Sequence, residues 1–218
     1  MKRRDFTAMT AAAAGWGGAL LAGLPGRAAA QGGPVEGRHY VRLPQAQHVQ
    51  AGEGRIEVIE FFWYGCPSCF AFEPVLNSWI KRAPADVAFR RVHVALNAPY
   101  RPHQRLYYTL EALGREAELR ARVFNAIHRQ RQPLDTPEAM ADFAAANGVD
   151  RAQFLEMYQS MGINTACNEA SRQSAGYKID AVPALGVNGR YFTSASLVSH
   201  EDMLAVVDWL LARLRKGA

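Results

Sequence analysis

Two cysteines two residues apart, in Cys66-Pro67-Ser68-Cys69, are the residues of this chain best placed to do covalent chemistry. They follow a β-branched and aromatic run at 56–62 and precede a helix-like run at 70–81. A strand that ends in Cys-x-x-Cys and feeds a helix aims one thiol at the helix N-terminus. Unpaired N–H groups and the helix dipole favour a thiolate there over a thiol. The thiolate is the nucleophile of disulfide exchange, so this spacing in this context reads as a redox dithiol. The competing chemistry is half of a metal site. Zinc asks for four ligands, usually from two such pairs, and the chain has no second Cys-x-x-Cys. A copper or zinc chaperone using Cys66, Cys69 and a nearby histidine is therefore the rival from another functional class. The loop that the two cysteines close is too short to staple a fold. Cys167 is left without a partner; a buried, inert thiol on a helix over 163–176 is expected, the alternative being a reactive or dimer-forming one.

The elements that must position the dithiol can be read outward from it. Residues 38–43 make a short candidate strand closed by Pro44, and 56–62 a central one. A third strand is expected over 87–96. From Pro102 to about Gly176 the apolar period becomes helical: Leu106, Leu110 and Leu113, then Leu119, Val123, Phe124 and Ile127. Thr136-Pro137 starts one helix, Asn147-Gly148 stops it, and Asp150 caps the next. Strand character resumes at 182–187. Asn188-Gly189 signals a type I′ hairpin with its return strand at 190–192, and Ser199 caps a last amphipathic helix. The strands on either side of the helical stretch need each other to form a sheet, so that stretch is an insertion.

The first thirty residues have the anatomy of a secretory signal peptide. Lys2-Arg3-Arg4 is basic, 8–24 is apolar, Pro25-Gly26 breaks the run, and Ala28-Ala29-Ala30 sets a cut between Ala30 and Gln31. The apolar run is short for a membrane anchor, which needs about 20 residues. Arg3-Arg4-Asp5-Phe6 also resembles the twin-arginine export signal, and both that route and the general secretory one end where disulfides persist. Of the 218 residues, 25 are Lys or Arg and 20 Asp or Glu, a formal charge of +5. Residues 1–30 hold four of the basic and one of the acidic residues, which leaves +2 for the remainder. No strongly basic patch argues for nucleic acid.

Three segments carry a resemblance to the DsbA family of periplasmic thiol–disulfide oxidoreductases. They are Ile59-Glu60-Phe61-Phe62-Trp63-Tyr64-Gly65-Cys66-Pro67-Ser68-Cys69-Phe70 with Phe72-Glu73-Pro74, then Val92-His93-Val94, then residues 181–191 from Ala181 to Tyr191. The resemblance implies an α/β, thioredoxin-like fold with an inserted all-helical domain. Residues 31–97 and 177–218 would form the thioredoxin-like domain, and 98–176 the insertion. It also implies donation of a Cys66–Cys69 disulfide to cysteine pairs of exported proteins, with no separate cofactor. Re-oxidation would come from a DsbB-like, quinone-linked membrane oxidase, and the protein would act in the periplasm as a monomer. A disulfide isomerase or reductase of the same fold is the second enzymatic reading. It needs a dimerisation module, for which the short stretch before the first strand leaves no space, or a more reducing potential.

Within that resemblance Cys66, nearer the N-terminus of the motif, is the attacking sulfur, and Cys69, one turn in, resolves the mixed disulfide. Ser68 stands where the family's best-known member has histidine, which suggests a milder oxidant, since serine offers a weaker, neutral hydrogen bond. Val182–Pro183 would be a cis bond facing the dithiol; an ordinary strand-start proline is the alternative. Glu60 and Glu73 match buried acids that exchange protons with the second cysteine, or else are exposed charges; Arg91 could pair with one of them. His93 reads as a buried, hydrogen-bonded histidine. Trp63, Tyr64 and Phe70 are core or substrate surface, core being favoured.

Overall fold

A computed structural model of the chain describes residues 32–217. The expected signal peptide and its cut after Ala30 lie outside the described residues.

Strand β2, Ile56–Phe62, is the centre of a five-stranded sheet. Its β-branched and aromatic residues are almost all buried, as a strand covered on both faces requires. β2 pairs in parallel with β3, Val87–His93, and the crossover between them is helix α1, Pro67–Arg82. On its other edge β2 pairs antiparallel with β4, Ala184–Val187. β4 pairs with β5, Tyr191–Ser194, and β5 with the edge strand β1, Val41–Arg42, giving the order β1-β5-β4-β2-β3. Asn188 and Gly189 both take positive φ, 47° and 66°, as a type I′ turn demands.

Between β3 and β4 the chain is helical. A 3₁₀ turn, Ala98–Tyr100, leads into α2, Arg101–Ala112; α3, Glu116–His128; α4, Pro137–Ala146; α5, Arg151–Gln159; and α6, Met161–Gly176. α7, His200–Arg215, closes the fold. Thr136, Asp150 and Ser199 cap α4, α5 and α7 by accepting N–H bonds, as their sequence positions predict.

Alternation along the strands sorts the core into two layers. Val58, Leu185 and Val187 face Phe72, Leu76 and Trp79 of α1 and Val207, Leu210 and Leu211 of α7. Ile59, Phe61 and Ala184 face the other way, into a larger cluster with Leu106, Leu110, Phe124 and Tyr177 from the helical stretch. The architecture is thioredoxin-like with a helical insertion.

Several expected boundaries shift. β4 starts at Ala184 rather than 182, β5 is Tyr191–Ser194 rather than 190–192, and α6 starts at Met161 rather than 163. Three others have a clear local cause. β3 ends at His93 rather than 96: Val94 N–H still bonds Phe62 O at 2.8 Å, but β2 ends there and offers no further partner. β1 keeps two residues of the expected 38–43, because residues 37–39 form a turn closed by the Gly37 N–H on Tyr40 O at 2.7 Å. α1 begins at Pro67, not at 70, since Pro at the first helical position is pre-organised and Cys66 supplies the cap.

Candidate active site

Cys66 sits at the N-cap of α1 with extended backbone, and its Sγ accepts the Cys69 N–H at 3.4 Å. It is half-buried, and its Sγ also lies 3.5 Å from the Val182 carbonyl oxygen. The hydrogen bond from the Cys69 side chain is the largest influence on it. With the Cys69 and Ser68 N–H groups, that bond outweighs partial burial and brings its pKa down from 9.0 to about 6. Cys69 is fully buried, and that burial pushes its thiol well above the usual range; the bond to Cys66 and the charge of Glu60 add to the effect. Both are free thiols. One motif thus holds a sulfur that is anionic near neutral pH beside one that keeps its proton.

Val182–Pro183 is cis, with the Val182 carbonyl against Cys66 and Pro183 buried. Pro67 is exposed at the first position of α1.

Glu60 and Glu73 are both buried. Glu60 lies on β2 opposite Arg91 on β3, and Arg91 Nε donates to its Oε2 at 2.7 Å. The same guanidinium reaches Glu73 Oε1 at 3.5 Å and donates to Asn77 Oδ1 at 3.0 Å. Arg91 therefore serves both acids, where sequence reading expected one. Burial still dominates at Glu60: with the nearby Glu73 charge it overcomes Arg91 and raises the pKa from 4.5 to about 7. Its second oxygen, Oε1, is buried with no hydrogen-bond partner.

The loop entering the motif is pinned from below. Tyr64 is fully buried, its N–H donates to His93 Nε2 at 3.1 Å, and its hydroxyl donates to Glu116 Oε1 at 2.8 Å. Arg120, one turn along α3, holds Glu116 through two guanidinium nitrogens, Nε at 2.8 Å and Nη2. His128 Nε2 lies 2.7 Å from Tyr64 O, and its ring stacks on Phe70 at 4.9 Å. Trp63 stacks face to face on Tyr100, 3.7 Å between centroids. Gly65 is glycine for room: a Cβ there would stand 2.2 Å from the Trp63 ring. His93 is buried as expected, and desolvation drives its pKa well below 6.5. Tyr64 is core, whereas Trp63 and Phe70 are only half-buried.

Sequence reasoning missed Glu116, Arg120, His128 and His200. His200 Nε2 lies 2.9 Å from Ser68 Oγ. Each comes from a helix distant in sequence, and no local motif marks it. Cys167 is buried on α6, and desolvation lifts its thiol to about 11. Among the described residues, no group of three or more His, Cys, Asp or Glu side chains gathers where a metal could sit.

A family model described as the DSBA-like thioredoxin domain matches residues 100–205. The chain is 40% identical to the thiol:disulfide interchange protein DsbA of Azotobacter vinelandii, over 92% of this chain and 97% of that one. It is 45% identical to the protein of the same name from Bordetella pertussis, over 75% and 78%. The crystal structure of Pseudomonas aeruginosa DsbA superposes with a TM-score of 0.79 at 38% identity, covering 83% of this chain and 94% of that one. DsbA from Xylella fastidiosa superposes at 0.78 with 29% identity, over 84% and 98%.

Proposed function

The chain belongs to the DsbA family of thiol:disulfide interchange proteins, and from that premise we propose how its own residues carry the exchange. It is a thiol:disulfide oxidoreductase that acts on proteins containing cysteines.

In the oxidised enzyme Cys66 and Cys69 are joined. A substrate thiolate attacks Cys66 Sγ, the accessible sulfur. The Cys66–Cys69 bond breaks, its electron pair leaves on Cys69 Sγ, and a mixed disulfide forms. Cys69, held well above the ordinary thiol pKa, takes up a proton. Glu60, poised near neutrality with one free oxygen, exchanges that proton with it. The substrate's second thiolate then attacks its partner sulfur, and Cys66 leaves as a thiolate. Two electrons pass to the enzyme and the substrate gains its disulfide. Glu73 acts through Arg91 and the charge it adds at Glu60. Val182 offers backbone to the substrate, Pro183 keeps N–H donors away from the sulfurs, and Pro67 starts the helix that holds Cys66.

The observation that carries this reading is the Cys66 sulfur at the α1 N-cap, accepting an N–H and titrating near 6. A low-pKa leaving group departs faster and stabilises the reduced enzyme, which is the condition for an oxidant.

The remaining parts follow the family and the sequence. Residues 31–97 and 177–218 form the thioredoxin-like domain around 98–176; the pairing of β2 with β4 across the interruption supports this. The protein works in the periplasm after cleavage between Ala30 and Gln31, on exported proteins with cysteine pairs. A DsbB-like, quinone-linked oxidase re-oxidises it, it acts as a monomer, and no separate cofactor takes part. No described helix is long and apolar enough to cross a membrane.

Titration of the dithiol against a glutathione buffer tests the reading. An equilibrium far to the oxidising side of ordinary structural disulfides is expected. Cys66→Ala should lose all exchange, and Cys69→Ala should accumulate mixed disulfide. Full exchange by Cys66→Ala would refute the assigned nucleophile.

A further inference from the structure

The histidine that faces the motif comes from the far end of the chain. His200 is the first residue of α7, and its Nε2 lies 2.9 Å from the hydroxyl of Ser68, inside the Cys-x-x-Cys turn. Its ring packs 5.0 Å from that of Phe72, a fully buried residue of α1. The contact joins two elements that are 132 residues apart, and both side chains are half-buried.

Ser68 lies in the turn between the cysteines, next to the Cys69 N–H that bonds the reacting sulfur at 3.4 Å. Its N–H, with that of Cys69, is among the groups that favour the Cys66 anion. A serine hydroxyl left to solvent would sample several rotamers, and its turn would be held by backbone bonds alone. The imidazole removes that freedom. The bond also survives protonation of the ring: a neutral Nε2 accepts from the hydroxyl, and a protonated one donates to the hydroxyl oxygen.

We infer that His200 is a positioning residue for the exchange: it holds Ser68, and through Ser68 the turn between the cysteines, in the arrangement that stabilises the Cys66 thiolate. This deepens the oxidoreductase reading and rests on it. The element that closes the fold therefore also tunes the dithiol.

The test compares wild type with His200→Phe, Ser68→Ala and the double variant. His200→Phe keeps a ring against Phe72 and removes the bond; His200→Ala is the second variant should the larger ring fail to pack. Three quantities are read in the full protein: Cys66 titration by thiolate absorbance, the equilibrium constant with glutathione, and thermal unfolding of the oxidised form. Each single variant should raise the Cys66 midpoint. Each should also move the glutathione equilibrium towards the reducing side by about three- to tenfold, roughly what one neutral hydrogen bond supplies. The double variant should shift no further than either single one, because both break the same link. Unchanged or oppositely shifted titration and equilibrium overturn the inference. So does additivity in the double variant, and so does a loss confined to thermal stability. Failure of wild type itself to exchange with glutathione would instead overturn the oxidoreductase reading.

Discussion

Cys66 and Cys69 are the same residue type three positions apart, and the fold makes them opposites. One meets N–H groups at a helix terminus and the other meets apolar burial. The consequence is a pH dependence with a definite sign. The reduced Cys66 thiol titrates near 6 in the fold against 9.0 when unperturbed. A depressed pKa contributes stability that is complete above the unfolded value and is lost as pH falls through the folded one. Between about 6 and 9 the reduced protein should therefore gain stability over the oxidised form as pH rises. The oxidised form lacks both thiols and serves as the control. Thermal midpoints of the two forms across that window check it, and parallel curves would contradict it. The motif, Pro183 and both acids were legible in the sequence. Whether the acids lay buried or exposed was not, because burial depends on what packs over β2 and α1.

At the scale of elements, β2 and β3 do more than build a sheet. Their parallel register sets Glu60 opposite Arg91 and brings the guanidinium beneath α1, within reach of Glu73. Removing one partner of a buried ion pair leaves an uncompensated charge, which costs more than the pair itself contributes. Arg91→Met should lower unfolding free energy, measured in urea, by up to roughly 3–5 kcal/mol above about pH 7, where Glu60 is ionised. Below that pH Glu60 takes up a proton and the loss should be smaller. Glu60→Gln should cost far less: glutamine still accepts from Arg91 and carries no buried charge. Equal losses for the two would show that packing, not charge, governs the site. Strand β2 was legible to the residue because β-branched and aromatic residues dominate its run. The end of β3 was not, since a strand stops where its neighbour stops, and the neighbour is not in the local sequence.

Across the whole molecule, the chain leaving the helical stretch packs closely on the sheet at Gly186. Tyr177, just after α6, lies over Gly186 of β4 with its ring 5.0 Å from Phe61, and its hydroxyl accepts the Gly189 N–H at 2.9 Å. A Cβ at position 186 would stand 2.5 Å from that ring and 3.0 Å from Phe61. Gly186→Ala should therefore destabilise the fold by roughly 1–3 kcal/mol, the usual cost of overpacking a core. A lowered urea midpoint is the readout; an unchanged one would mean that Tyr177 moves aside freely. Sequence periodicity foretold a helical stretch between two strand regions, but not that the residue following α6 would pack on this glycine.

The sequence by itself determined the dithiol, the order of elements around it and the interruption of the sheet by helices. These rest on local chemistry and on short-range periodicity. Only the tertiary structure decided that both acids are buried and share Arg91, and that His128, Glu116 and His200 stand around the motif. Those outcomes depend on desolvation and on distances between residues far apart along the chain, and neither quantity exists until the chain has folded.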